Sequence, residues 1–86
     1  TMITKTLQVH NEEGLHSRPA LEFSKLAAQY TSAVTIEKDG MSFDAKSMLM
    51  VLSACVGCGE DFVLKADGPD EQQAMEGLEQ FVAALH

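Results

Sequence analysis

The sequence has few basic residues: 6 Lys and Arg stand against 13 Asp and Glu, which gives a formal net charge of −7. An acidic surface repels nucleic acids and anionic membranes, so we expect neither as a partner. The two cysteines are too few for the disulfide framework of a small secreted domain. No apolar run reaches the length of a membrane span, and the first residues lack the pattern of a secretory signal. We therefore expect a cytoplasmic protein in which any phosphate site is local.

The chain offers enough apolar material for one hydrophobic core. It has 86 residues, 45% of them hydrophobic, which suits one small domain rather than two. It contains no linker rich in Pro, Gly or Ser and no internal repeat. We therefore expect residues 1–86 to form a single domain, and we expect that domain to be a monomer.

The spacing of the apolar residues predicts seven short elements. The predicted strands are 2–9, 33–38, 41–44 and 62–66, and the predicted helices are 19–30, 46–53 and 71–85. Asp39-Gly40 favours a two-residue hairpin turn because both positions tolerate positive φ. Asp70 and Gln73 fit a capping box that opens the last helix. The order β-α-β-β-α-β-α, with one apolar face per strand, predicts an α+β fold in which the helices cover one face of the sheet.

The segment GLHSRPA, residues 14–20, places His16 and Arg18 where a loop gives way to a helix. The first N–H groups of a helix lack partners within it and carry partial positive charge, so this terminus favours an anion. The guanidinium group of Arg18 is suited to binding phosphate oxygens. Pro19 fits the first turn because it has no N–H group that would lack a partner there. Neutral imidazole is nucleophilic near pH 7, so His16 is a candidate for phosphorylation. A plain surface loop or a capping role is the simpler alternative.

The sequence lacks the parts needed to catalyse phosphoryl transfer alone. It has neither a Gly-rich phosphate loop ahead of a lysine nor a convincing pair of carboxylates for Mg²⁺. We therefore expect no cofactor and no metal. The chain would receive a phosphoryl group from another protein and hand it on.

A second motif, AKSMLMVLSA at residues 45–54, accompanies GLHSRPA. Together the two motifs resemble the signatures of HPr, the histidine-containing phosphocarrier family of the bacterial phosphoenolpyruvate:sugar phosphotransferase system. The resemblance implies an open-faced β-sandwich, a four-stranded antiparallel sheet with three helices on one face. It also implies that His16 accepts a phosphoryl group from enzyme I and passes it to the IIA domains of sugar permeases. Ser17 and Arg18 would hold the phosphate, and the chain would be a carrier rather than a stand-alone catalyst.

Ser47 lies where the second helix should begin, which predicts an N-cap whose hydroxyl accepts a helix N–H. The resemblance implies a further role, because Ser47 matches the serine that an HPr kinase/phosphorylase modifies in many bacteria. A phosphate there would add negative charge near His16, slow loading from enzyme I and create a corepressor for a catabolite-control regulator. A mainly regulatory paralogue, of a nitrogen-type system or acting through Ser47, is therefore an alternative. The presence of His16 argues against regulation through the serine alone.

The second predicted helix carries more apolar residues than one short helix can bury, although burial of all of them is the alternative. We expect part of it to contact enzyme I and IIA domains. The expected contact residues are Leu15, Ser17, Lys25, Met48, Leu49 and Leu52. Some members of the family carry lysine at the positions of Met50 and Ala28, so electrostatic steering towards acidic partners should be weaker here.

Cys55 and Cys58 have the C-x-x-C spacing of redox and metal sites. They follow a predicted helix rather than a strand, and His10, His16 and His86 are too scattered to supply a second ligand pair. Reduced thiols beside a Gly-rich loop are the expected state. A small redox or metal module is the third functional alternative.

Overall fold

The computed structural model describes residues 2–85 and contains seven elements in the predicted order. They are β1 (Met2–Gln8), α1 (Ser17–Ala28), β2 (Ala33–Lys38), β3 (Met41–Asp44), α2 (Met48–Ala54), β4 (Asp61–Asp67) and α3 (Glu71–Ala83). Thr1 and His86, which the predicted domain includes, lie outside the described residues. Within the described range no helix combines the length and the apolar character needed to cross a membrane.

The four strands form one antiparallel sheet in the order β1-β4-β2-β3. Ile36 of β2 lies opposite Leu64 of β4 on one side and Phe43 of β3 on the other. Leu7 of β1 lies opposite Phe62 of β4. All five side chains are buried on the face that the three helices cover. The predicted α+β fold, an open-faced β-sandwich, is confirmed.

Helices α1 and α3 bury the apolar stripes that their spacing predicts. The buried apolar residues are Ala20, Phe23 and Ala27 in α1 and Ala74, Met75, Leu78 and Val82 in α3. Phe23 meets Phe62 of the sheet edge to face, with 6.4 Å between the ring centroids. Burying a side chain of this size stabilises the fold by about 1.5–3 kcal/mol. The core therefore fixes α1, and with it the His16 end of that helix, against the sheet.

The hairpin between β2 and β3 has the predicted two-residue turn. Asp39 has φ 53° and Gly40 has φ 79°, so both central positions are in the left-handed region that a type I′ turn requires. Lys38 and Met41 pair directly across the turn. The hairpin prediction is confirmed.

The starts of α1 and α2, and the cap of α3, differ from the prediction. Helix α1 begins at Ser17 rather than Pro19, and α2 begins at Met48 rather than Lys46. Asp70 precedes α3 as predicted, but its carboxylate makes no capping bond, because it accepts the N–H groups of Thr31 and Ser32. The capping box is therefore wrong: a loop distant in sequence supplies donors that compete with those of the helix.

Candidate phosphorylation site

His16 is the N-cap residue of α1 and has an extended backbone, with φ −128° and ψ 162°. Its side chain is half-buried and makes no capping hydrogen bond. The first turn of α1 contains no acidic residue, so nothing within that turn neutralises the positive end of the helix. The imidazole and the N–H groups of the first turn therefore belong to the same helix end, as the sequence predicts.

Ser17 and Arg18 follow in the first turn, and both side chains are exposed. Ser17 has φ 53°, a left-handed conformation that costs a residue with a side chain on the order of 1–3 kcal/mol. Among residues 2–85, no carboxylate lies within ion-pair distance of Arg18. The guanidinium donors of Arg18 are therefore available to a bound anion.

The backbone before His16 rests on the loop that follows α2. The N–H of Leu15 donates to the carbonyl of Val56 at 2.8 Å. Gly14 has φ 68°, and a Cβ atom there would lie 2.2 Å from the same carbonyl oxygen. Only glycine combines this backbone conformation with so close an approach. On the other side, the side-chain amide of Asn11 donates to the carbonyl of Gly14 at 2.9 Å.

Leu15 is fully buried, so its side chain is not available to a partner. The prediction that Leu15 belongs to the contact surface is wrong. Leu15 immediately precedes the N-cap, a position where an apolar side chain turns inward to pack beneath the start of the helix. The sequence signal for this burial was present, because Ala20 occupies the matching position in the first turns and is buried too.

An ion pair that the sequence does not predict fixes the loop after α2. The ammonium of Lys38, whose side chain is 12% exposed, donates to the carbonyl of Cys55 at 3.1 Å and lies 3.3 Å from Glu60. Glu60 accepts the N–H of Gly57 at 2.6 Å. The Gly57 N–H, and next Lys38, hold the pKa of Glu60 below its usual value against the effect of burial, and the positive charge of His16 adds a smaller contribution. Glu60 is therefore an ionised group within electrostatic range of His16.

Ser47 is the N-cap of α2, which confirms that prediction. Its hydroxyl accepts the N–H of Met50 at 3.4 Å, and its own N–H donates to the carbonyl of Asp44 at 3.2 Å. The side chain is half-buried. Helix α2 packs against α1, and the Val56 carbonyl that holds Leu15 comes just after the end of α2. The first motif therefore contacts the second through the packing of α1 on α2, and it bonds the backbone of the loop that follows the second motif.

Three consecutive apolar side chains of α2 are exposed: Leu49 to 76%, and Met48 and Met50 to 37% each. These residues are named the α2 surface below. Val51 is buried, and Leu52 packs half-buried against the core. Burial of the whole apolar segment, the alternative considered for it, is therefore excluded.

Cys55 and Cys58 are free thiols, and both are exposed. The Sγ atom of Cys55 contacts the carbonyl of Leu52 at 3.5 Å, and that of Cys58 contacts the carbonyl of His10 at 3.6 Å. In the part of the chain that the structure describes, no three His, Cys, Asp or Glu side chains are grouped to hold a metal ion. His86, one of the scattered histidines, lies outside that part.

A family model described as the PTS HPr component phosphorylation site matches residues 3–84. The chain belongs to the HPr family. Membership makes it a phosphocarrier-family protein of the phosphotransferase system, and it implies partners such as enzyme I and IIA components. The resemblance drawn from GLHSRPA and AKSMLMVLSA is thereby confirmed.

Individual HPr-family relatives match over nearly the whole chain. The HPr-like protein Crh of Halalkalibacterium halodurans is 41% identical over 81 residues, covering 94% of this chain and 96% of that protein. The phosphocarrier protein HPr of Cupriavidus necator is 35% identical, with 95% and 92% covered. The crystal structure of HPr-C-His from Thermoanaerobacter tengcongensis has a TM-score of 0.93 at 33% identity, covering 95% of this chain and 92% of that chain.

The expected monomer is not confirmed by these HPr-family structures. The crystal structure of Crh from Bacillus subtilis, 37% identical with a TM-score of 0.78, is described as a dimer with a swapped domain. It covers 98% of this chain and 97% of that chain.

Proposed function

We propose that residues 1–86 act as one HPr domain in which His16 carries the phosphoryl group. The lone pair of an imidazole nitrogen attacks phosphorus, so that a P–N bond forms while the bond from phosphorus to its donor on enzyme I breaks. Transfer to a IIA domain reverses the roles, with His16 as the leaving group. The observation that supports this assignment is the position of His16 as the N-cap of α1, whose first turn lacks an acidic residue. Arg18 and the hydroxyl of Ser17 then donate to the phosphate oxygens.

The test is incubation with phosphoenolpyruvate and enzyme I, followed by measurement of acid-labile phosphate on the protein. We expect labelling of the parent and none of His16→Ala. His10→Ala is the matched control, because His10 is an exposed histidine of the preceding loop that does not cap α1. We expect it to be labelled like the parent. Label that persisted in His16→Ala, or that never formed on the parent, would contradict the proposal.

We further propose that enzyme I and IIA domains dock on the α2 surface, together with Leu52, Ser17 and Lys25. The support is the exposure of Met48 and Leu49 beside a loop that contacts the backbone before His16. Replacing Leu49 by Ser should raise the KM for loading by enzyme I without destabilising the fold. Met41→Ser is the control, because Met41 is 61% exposed on the β2–β3 hairpin. Equal KM values for the two variants would refute this docking surface.

Regulation through Ser47 is the second function that we propose, with an HPr kinase/phosphorylase as the modifying enzyme and a catabolite-control regulator as the reader. Its support is the accessible part of the Ser47 side chain and the 41% identity to a Crh protein. Purified kinase and ATP should add one phosphate to the parent and none to Ser47→Ala. The modified protein should then load more slowly from enzyme I, because two phosphates repel each other. An unmodified parent would rule out this regulatory role.

We also propose that the protein works in the cytoplasm as a monomer. The support for a monomer is β1, whose seven residues all pair with β4 of the same chain. Light scattering coupled to size-exclusion chromatography should give the mass of one chain. A concentration-dependent mass of two chains would contradict this proposal.

A further inference from the structure

Two charged side chains hold the loop from Cys55 to Glu60 at three points. Lys38 bonds the carbonyl of Cys55 at the start of the loop and pairs with Glu60 at its end. In the middle, Glu60 accepts the N–H of Gly57 through its side chain and donates to the carbonyl of Gly57 from its backbone, at 3.1 Å. The loop therefore has little freedom to move while this ion pair is intact.

Val56 lies inside this loop, and its carbonyl is what the backbone before His16 contacts. The Leu15 N–H bonds to that carbonyl at 2.8 Å, and the space beside Gly14 has no room for a single carbon atom. A displacement of Val56 would therefore be passed to Leu15 and then to His16. This contact chain consists of backbone groups, so it is stiff.

Electrostatic interactions also connect Lys38 and Glu60 with His16. Glu60 is ionised because the Gly57 N–H and then Lys38 lower its pKa, and a positive charge on His16 lowers it further by a smaller amount. A phosphoryl group on His16 would add roughly two negative charges near this carboxylate. Most of the Lys38 side chain is out of water, whereas that of Glu60 is 49% exposed, so the charge of Lys38 offsets that of Glu60 with partial screening by salt. Asp39, 3.7 Å from Lys38, is 87% exposed and competes weakly.

We propose that Lys38 and Glu60 are positioning residues for His16: together they fix the Val56 carbonyl, and Lys38 neutralises a carboxylate that would otherwise repel the incoming phosphoryl group. The inference rests on the proposed role of His16 and extends it to two residues outside both sequence motifs. It requires no contact between either residue and the phosphate.

The first measurements need no enzyme I. Nuclear magnetic resonance gives the hydrogen-exchange rate of the Leu15 amide and the chemical shifts of the His16 ring in the parent, in Lys38→Met and in Lys38→Met/Glu60→Gln. In Lys38→Met we expect exchange of the Leu15 amide to be about tenfold faster, because the loop opens more often. We also expect the ring resonances of His16 to shift, because the unpaired carboxylate changes the electric field at the imidazole. In the double variant the ring resonances should return towards those of the parent while Leu15 exchange stays fast.

The matched control is Lys5→Met, which removes the exposed Lys5–Glu79 pair between β1 and α3 and leaves the Cys55–Glu60 loop untouched. It should change neither the Leu15 exchange nor the His16 ring resonances. Lys38→Arg keeps the charge and the donors, so both properties should remain as in the parent. A loss of global stability alone would not leave Leu15 exchange fast while returning the His16 ring resonances towards those of the parent in the double variant.

Kinetics of loading by enzyme I complete the test. We expect kcat/KM to fall about tenfold in Lys38→Met, since small displacements of a reacting group are costly, and to be unchanged in Lys5→Met. Parent-like Leu15 exchange, His16 ring resonances and loading in Lys38→Met would overturn the inference. A parent that enzyme I does not label would refute the proposed function instead, and the two resonance measurements would still decide whether Lys38 and Glu60 position His16.

Discussion

Replacing Gly14 by Ala should weaken both the fold and the site. The left-handed backbone, with φ 68°, costs a residue with a side chain about 1 kcal/mol. The new methyl group would lie 2.2 Å from the Val56 carbonyl oxygen, so the two backbones must separate, which typically costs about 1–3 kcal/mol. Separation also breaks the Leu15–Val56 hydrogen bond, worth about 1 kcal/mol. Alanine also lowers the conformational entropy of the unfolded chain, which offsets part of this cost. We therefore expect the free energy of unfolding to fall by about 3 kcal/mol.

Gly59→Ala is the matched control for this substitution. Gly59 has φ 80° and lies in the same Cys55–Glu60 loop as Val56, but a Cβ atom there would have no neighbour within 4 Å. Only the cost of the left-handed backbone applies, so we expect the free energy of unfolding to fall by about 1 kcal/mol or less. Urea unfolding followed by circular dichroism measures both free energies of unfolding, and enzyme I loading measures the effect on His16. Equal destabilisation by Gly14→Ala and Gly59→Ala would refute the argument that the approach of Gly14 to Val56 positions the site.

Three further predictions concern single side chains. Leu15→Ala should lower the free energy of unfolding by about 3 kcal/mol because it opens a cavity in the core. Leu49→Ala should change that free energy by less than about 0.5 kcal/mol and should impair loading by enzyme I instead. Similar free energies of unfolding for the two variants would contradict the burial of Leu15 and the exposure of Leu49. Ser47→Ala should cost about 0.5 kcal/mol in urea unfolding, since the capping bond is long, and no loss would mean that the cap contributes nothing. In the folded protein the pKa of Asp70 is lowered, first by the hydroxyl of Ser32. The ionised Asp70 carboxylate therefore stabilises the fold above the unfolded pKa of about 3.9, and this stabilisation is lost as pH falls through the lower folded pKa. Asp70→Asn should therefore flatten the acid side of the stability profile, and an unchanged profile would refute this.

The fold could be predicted because its signals are local in sequence. Alternation in β4, helical spacing in α1 and the Asp39-Gly40 turn each fix one element through its own residues. The helix starts were harder, because a carboxylate such as Asp70 can satisfy a distant loop as well as its own helix. The local sequence does not indicate whether such a carboxylate will accept the N–H groups of its own helix or those of a distant loop.

The candidate site was predictable in part for the same reason. His16, Arg18 and Pro19 are neighbours in sequence, so their place at a helix end follows from one short motif. The supporting contacts are different. Lys38 and Glu60 are separated in the sequence by β3, α2 and their connecting loops, and their side chains meet because β2 and β4 are neighbours in the sheet. A lysine at the end of a strand and a glutamate in a distant loop predict no contact by themselves. Pairing information of this kind is absent from a single sequence.

The strand order has a consequence for how the chain is made. The last of the four strands of this sheet to be synthesised, β4, lies between β1 and β2, so β1 has no neighbour in the sheet until residues 61–67 are available. A nascent chain that ends before β4 can form the β2–β3 hairpin but not the sheet. Contacts between distant parts of a chain form slowly, and a split sheet leaves apolar faces exposed. Folding of this domain during synthesis is therefore postponed until β4 has emerged, and truncation before β4 should give an aggregating fragment rather than a smaller domain.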